Sequence, residues 1–531
     1  MNQKYLNDQW TLEDDLGIAG TGDLLARMAL EVQPPFSVRV TGKWGSGKTS
    51  VLRRAFATLG GQPIQQAVPL GQNVKETGSA EWEKWIYDSE KGRRQEVLQW
   101  PADLYAIAEQ SLCVWYSPWQ HQGTDNPLIP LLLEIQAQFS TRIRMKKKLL
   151  DINRRGGLAA LALIEQVIDV AASLTFQKNV KLAQGTTDRV RKAWKEAEPN
   201  LTGLSDGQRF HLLFEDAVKN ILLSLSKKKK IELLEDERLI VFIDDLDRCE
   251  ESVVVNLLEY IKLYLGSPHC VFVLGIDDNA VLGAMKRTWD GRSDEDNREY
   301  LEKMFQATLA VPLPRPDRIQ AGIRAQLKAH KFPDDKDEQG HDCAAIIEKL
   351  LEPNPRKIKN FCNSLCASWN QFRGYENESE NYARKFILFH YLRLFHRPVW
   401  RLLERQPRTL PLLHRVLTNS PDPVAIENFD EESQRLLKEL FERAFSHVLM
   451  DNTANKSDED LIKYHRSMDL DQAMQLFQER LDSKRSDEFF IKLFKSLLVD
   501  ENEELGEDFL CLPGLKPDEA KAEPEQASSP D

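Results

Sequence analysis

"VRVTGKWGSGKTSVL", residues 38–52, runs from an apolar, strand-like stretch through three glycines into a second apolar stretch with helical character. It contains the pattern G-x-x-x-x-G-K-[ST] from Gly42 to Thr49, placed where that pattern works, after a strand and before a helix. Gly42, Gly45 and Gly47 let the backbone bend so that the amides of Trp44, Gly45, Ser46, Gly47, Lys48 and Thr49 face an anion, with Lys43 and Ser50 completing the loop. The start of the following helix adds positive potential. In such a loop Lys48 bridges the β- and γ-phosphates of a nucleotide, and Thr49 holds Mg²⁺ through its hydroxyl. The stretch therefore predicts a phosphate-binding loop in an α/β fold.

A second stretch answers the first. "LIVFIDDLDRC", residues 239–249, sets Asp244, Asp245 and Asp247 directly after five apolar residues. A buried run that ends in acids is costly unless a cation waits there. A P-loop sheet supplies one, because the strand carrying the metal-binding acid ends in an aspartate beside the phosphate loop. Asp244 is accordingly the metal-side residue. Asp245 and Asp247 are candidates to orient or deprotonate the attacking water, since clustered like charges raise the pKa of whichever acid is off the metal. Arg248 is a candidate to neutralise one of them. Asp245, which directly follows the metal acid, leads, and Asp247 stays in contention.

The remaining organisation fits these two motifs. Strands are expected at 36–40 ("FSVRV"), 111–116 ("SLCVWY"), 239–244 and 270–277 ("CVFVLGID"), with another from Ala307 ("ATLAVPLP"). Between two of them, "ESVVVNLLEYIKLYLGSP" has period-3.6 apolar positions and a Gly266, Pro268 stop, so the unit reads as βαβ in a parallel sheet covered on both faces. Residues 57–105 are polar and weakly periodic. The expected fold class is an α/β P-loop NTPase core with a parallel sheet, a helical insertion between the phosphate loop and the acidic strand, and an all-α C-terminal region. The expected division is 1–126 and 231–315 for the core, 127–230 for a basic helical insertion, 316–375 for a helical lid, 376–500 for a C-terminal helical domain and 501–531 for an acidic disordered tail.

Composition bounds the function. The 531 residues are 41% hydrophobic and 29% charged, and the net charge of -12 argues against a surface that coats nucleic acid as a whole. The seven cysteines are scattered and read as reduced core thiols. The N-terminus lacks a signal pattern, which predicts a cytoplasmic protein. Residues 156–176 are long enough to span a bilayer, but Glu165, Gln166 and Asp169 interrupt them. Mid-span acids cost roughly 2.5–3.5 kcal/mol each, so a buried or interfacial helix is expected. The basic run "RIRMKKKLLDINRR" at 142–155 is the one feature that favours anionic lipid or nucleic acid. An N-K-x-D match at 455–458, which resembles a guanine reader, lies far beyond the α/β core and reads as a polar turn. Adenine is therefore the expected base.

"GKWGSGKTS", "VWYSPWQHQG" at 114–123, "VFIDDLDRC", "NPRKIKNFCNSL" at 354–365 and the "YLEKMFQ" helix from Tyr300 together resemble the KAP P-loop NTPases over about residues 10–370. That resemblance implies an ATPase core related to the signal-transducing STAND group, with ATP and Mg²⁺ as cofactors. It implies that the Trp119 segment packs near the nucleotide, that Arg356 on a helical lid senses the γ-phosphate, and that Asp277 falls at a polar sensor position. Asp277 can equally be the N-cap of "DNAVLGAMKR". It further implies a conformational switch in bacterial antiphage defence, acting with protein partners encoded nearby. Two readings compete: a nucleotide-binding scaffold with little turnover organising a membrane-associated complex, and a nucleic-acid-stimulated ATPase. A homo-oligomer and peripheral membrane contact through the insertion complete the partner expectations. Three features depart from the family: the acid-interrupted helix where many members cross a membrane, Arg39 in the first strand, and the region after about 375.

Overall fold

The structure, a computed structural model, describes residues 5, 6, 10, 17–59, 102–121, 126–147, 154–176, 205–226, 231, 234–263, 266–289, 291–333, 342–372, 382–395, 400, 431 and 435. The match at 455–458, residues 148–153 of the basic run and the acidic tail lie outside them. The described chain divides into two units, one spanning Gln9–Leu313 and the other combining Met1–Asp8 with Pro314–Asp531.

The first unit is built on five parallel strands, β1 (Phe36–Thr41), β2 (Leu112–Tyr116), β3 (Leu239–Ile243), β4 (Cys270–Ile276) and β5 (Ala307–Ala310), in the order β2-β3-β4-β1-β5. Every residue of β2, β3 and β4 is buried, which is why these segments are continuous apolar runs rather than alternating ones. β1 alternates: Val38 and Val40 point into one core, and Arg39 takes the other side. Its charge is paired there. Arg39 Nε donates to Thr308 Oγ1 of β5 at 2.7 Å, and Nη1 lies 3.5 Å from Asp278 Oδ1.

Helices α1 (Ala19–Glu31), α2 (Lys48–Thr58) and α3 (Ala102–Gln110) cover Val40, Phe242 and Val273 on one face. The opposite face packs against α4 (Leu128–Lys147), α5 (Arg154–Phe176), α6 (Asp206–Leu225), α7 (Glu251–Leu263), α8 (Asp278–Thr288) and α9 (Asp294–Met304). The acid-interrupted segment forms α5. Ala160, Ile164, Val167 and Ala171 are buried at helical spacing, while Glu165, Gln166 and Asp169 are exposed. Among the described residues no helix is long and apolar enough to cross a membrane.

Helix α4 closes an open sheet edge. The Trp115 N–H donates to Gln138 Oε1 and Gln138 Nε2 donates back to the Trp115 carbonyl, both at 2.8 Å. One side-chain amide thus replaces a neighbouring strand at edge strand β2, satisfying polar backbone that burial would otherwise leave unpaired.

The second unit contains α10 (Pro316–Ala329), α11 (Cys343–Leu350), α12 (Pro355–Phe372) and α13 (Tyr382–Phe395). The chain's first residues group with it. The Leu6 N–H donates to Asn363 Oδ1 at 2.9 Å, and Asn363 Nδ2 donates to the Leu6 carbonyl at 2.6 Å. Cys113, Cys249, Cys270, Cys343, Cys362 and Cys366 are all unbridged, and burial pushes the Cys366 thiol up to about 12.

Within this unit His390 is buried, with Nε2 3.1 Å from Ser364 Oγ and the ring edge-on to Phe361. Burial, reinforced by Arg393, lowers its pKa to about 4. Above about pH 6.5 the imidazole is neutral in both folded and unfolded chains and contributes no pH dependence. Between there and about 4 the unfolded chain binds a proton that the folded one refuses, so stability is lost as pH falls, by on the order of 3 kcal/mol in full. The unfolding midpoint of this unit is expected to fall across that window in wild type, and to fall measurably less in His390→Phe. Parallel pH profiles would refute the assignment.

Candidate nucleotide site

The site forms at the C-terminal ends of β1, β3 and β4. Leaving β1, the loop turns at Gly45 (φ 82°) and Gly47 (φ 101°), left-handed conformations that a side chain disfavours. At Gly42 a Cβ would stand 2.6 Å from Ser46 Oγ. Gly47 is also the N-cap of α2 and supplies no side-chain acceptor, so the helix begins without a side-chain cap and with its dipole facing the loop. Ser46 Oγ is buried without a hydrogen-bond partner. These are the properties of an anion cradle, and they fit a nucleotide's phosphates.

Lys48 is 7% exposed. Its Nζ donates to the Gly42 carbonyl at 2.8 Å and lies 3.4 Å from Asp247 Oδ2, so the ammonium is held between the loop and the acidic strand end. The hydroxyl of Thr49, the next residue, stands close enough to the Asp244 carboxylate to favour its charged form. Asp244 is itself fixed by its own N–H, which donates to the Tyr116 carbonyl at 3.0 Å. Burial, then the neighbouring Asp245, pushes the Asp244 carboxyl up to about 6. A hydroxyl beside a buried carboxylate is a hard oxygen donor pair that suits Mg²⁺, which keeps its remaining positions for water and phosphate. A cation there would also offset the raised pKa by favouring the charged carboxylate.

The two halves meet because of Gly275. β4 lies between β1 and β3, and a Cβ on Gly275 would stand 3.1 Å from Asp244 Oδ1 and 2.5 Å from Leu52 Cδ1. Without it, α2 settles close enough to the sheet for Thr49 to reach Asp244. At the end of the same strand Asp277 does two things. Its Oδ2 accepts from the Trp44 N–H in the loop and its Oδ1 from the Asn279 N–H at the start of α8, each at 3.1 Å. The carboxylate that caps the helix is thus also tied to the phosphate loop.

Asp245 has a left-handed backbone (φ 59°) and opens the tight turn Leu246–Arg248. Arg248 Nε lies 2.9 Å from its Oδ1, and Ser117 Oγ donates to its Oδ2 at 3.5 Å. Burial raises the Asp245 pKa against the pull of Arg248. Trp119 lies beside this turn, its ring centroid 5.4 Å from the Arg248 guanidinium carbon. Arg356 belongs to the second unit, in the first turn of α12, where Asn354 Oδ1 accepts from its N–H at 3.1 Å.

Arg53, Gly275 and Ser117 carry the site without standing out in the sequence. Arg53 is one turn beyond Thr49 on α2 and 7% exposed, its guanidinium carbon 3.5 Å from the Trp115 ring centroid. Burial lowers its pKa to about 10, opposed by Asp244 and Asp245. It is an internal counter-ion for the acids. The signals were an arginine among the buried residues of an amphipathic helix and a glycine inside an apolar strand.

The KAP family P-loop domain matches residues 22–368, about two thirds of the chain. No curated protein matches it. Among solved structures, the chain is similar to the Aeropyrum pernix ORC2 protein in its ADPNP–ADP complexes, at 12% identity over 88% of this chain and 94% of that one, with a TM-score of 0.28. The ADP form gives 11%, 90%, 97% and 0.28.

Two substitutions test the architecture. Arg53→Met takes away the buried charge that opposes Asp244 and Asp245, together with its stack on Trp115, and should cost about 3 kcal/mol in urea unfolding, with Arg53→Lys recovering only part because an ammonium lacks the planar stack. A loss within 0.5 kcal/mol, roughly the effect of an ordinary surface change, would show that the acids do not depend on Arg53. Gly275→Ala should weaken nucleotide binding at least ~10-fold, about the 1.4 kcal/mol that small overpacking costs. An unchanged affinity would show that the gap beside Asp244 is not needed.

Proposed function

The chain belongs to the KAP family of P-loop NTPases, and on that premise we propose that it binds ATP with Mg²⁺ and hydrolyses it as a conformational switch. One observation carries the reading: consecutive residues Lys48 and Thr49 at the start of α2 engage Asp247 and Asp244 at the end of β3. The phosphate cation and the metal hydroxyl are thereby set against the acids in one place.

In this reading the loop amides and Lys48 bind the β- and γ-phosphates, and Thr49 and Asp244 hold Mg²⁺. When bound, the metal neutralises charge on the phosphate oxygens. Asp245 orients a water and accepts its proton as the water oxygen bonds to the γ-phosphorus and the bond to the β-phosphate oxygen breaks. Its burial, which favours holding a proton, supports that role. Asp247, paired with Lys48, keeps the ammonium in place. Arg356 senses the γ-phosphate, and the C-terminal helices pass the change to a protein partner. The family resemblance supports both steps, and it also supports an antiphage setting.

Lys48→Ala should weaken nucleotide binding at least ~10-fold, and Asp244→Asn should remove Mg²⁺-dependent turnover. Asp245→Asn should keep affinity but slow single-turnover hydrolysis about 100-fold, the usual scale for loss of a general base. A larger rate loss in Asp247→Asn than in Asp245→Asn would exchange their roles. GTP competing as well as ATP would overturn the choice of base.

A further inference from the structure

Asp245 is the inner end of a chain of three side chains. Its Oδ1 meets Arg248 Nε at 2.9 Å, and the guanidinium faces Trp119, 46% exposed, across 5.4 Å. We propose that Arg248, braced by Trp119, is a positioning residue that restrains Asp245 and sets the resting rate of hydrolysis. This rests on Asp245 being the acid that handles the attacking water.

Several features support a restraint rather than simple charge balance. Both carboxylate oxygens have a partner, Oδ1 the Arg248 guanidinium at 2.9 Å and Oδ2 the more distant Ser117 hydroxyl at 3.5 Å, so the carboxylate's orientation toward a water is set by these two neighbours. The pairing is built into the backbone. In the turn Leu246–Arg248 the Arg248 N–H donates to the Asp245 carbonyl at 3.3 Å, and with Asp245 left-handed this brings the two side chains together. Balancing the acid cluster does not require Arg248 alone, because buried Arg53 already opposes the charges of Asp244 and Asp245.

The two holds also share one mounting. Ser117 and Trp119 are both carried on the chain just beyond β2, Trp119 within the short turn Pro118–His121. A shift of that turn loosens the hydroxyl on Oδ2 and the ring on Arg248 together. The outer end is accessible, with the Arg248 side chain 35% exposed. A half-exposed ion pair and a half-exposed cation–π contact are weak, so together they hold back a rate by roughly 10-fold, not by thousands. A restraint of that size yields to modest displacement.

The full-length chain with Mg²⁺-ATP tests this. Arg248→Gln and Trp119→Ala should each raise kcat about 3- to 10-fold with KM unchanged. Arg248→Lys should restore part of the restraint, and Asp245→Asn/Arg248→Gln should turn over no faster than Asp245→Asn. A kcat that falls or stays level in Arg248→Gln overturns the proposal. If Asp245→Asn itself leaves turnover unchanged, the assignment of the water to Asp245 has failed, and the linkage is then judged without turnover. In protein labelled with 5-fluorotryptophan, the Trp119 resonance, identified by Trp119→Phe, should move on Asp245→Asn when Arg248 is present and not in Arg248→Gln. A Trp119 resonance indifferent to Asp245→Asn overturns it.

Discussion

The carboxylate of Asp244, 3% exposed at the end of an apolar strand, is the constraint around which the first unit is arranged. Burial alone would drive such a group to its neutral form. Three features keep it able to ionise, a hydroxyl from Thr49, the backbone of Asp245 and the charge of Arg53, while the missing side chain at Gly275 leaves it room. Each comes from a different position along the chain. Helix α2 contributes two of them one turn apart, so the helix that presents the phosphate loop also steadies the acid.

Much of this was legible because the determining signals are local. The glycines of the loop and the apolar runs of β3 and β4 declare themselves within a dozen residues, and Lys48, Thr49, Asp244 and Asp247 meet in the structure as their motifs suggest. Strand order is different. Parallel strands are joined by long crossovers, so nothing local says that β4 inserts between β1 and β3. Gly275 takes its meaning from that insertion, so a glycine inside an apolar strand was a signal whose partners, Asp244 and Leu52, the sequence does not name.

Asp277 and Arg39 show the same limit in smaller form. For Asp277, sequence offered a sensor or a helix cap, and the carboxylate uses one oxygen toward the loop and the other toward the helix. Arg39 looked out of place in a strand because its partners, Thr308 and Asp278, are both distant in sequence. The grouping of the first eight residues with Pro314–Asp531 belongs here too, since Tyr5 and Leu6 meet His330, Asn370 and Asn363, all more than three hundred residues away.

Gln138 stands in for a missing strand, and that substitution has a mechanical consequence. Trp115 is gripped by its backbone from α4 and by its ring from Arg53 of α2, two residues before Ser117. The inserted helices and the phosphate-loop helix therefore load the same short piece of chain, one by hydrogen bonds across the sheet edge and the other by stacking against its face. Trp115 is a junction at which two levers meet, with the acids of β3 beside its output.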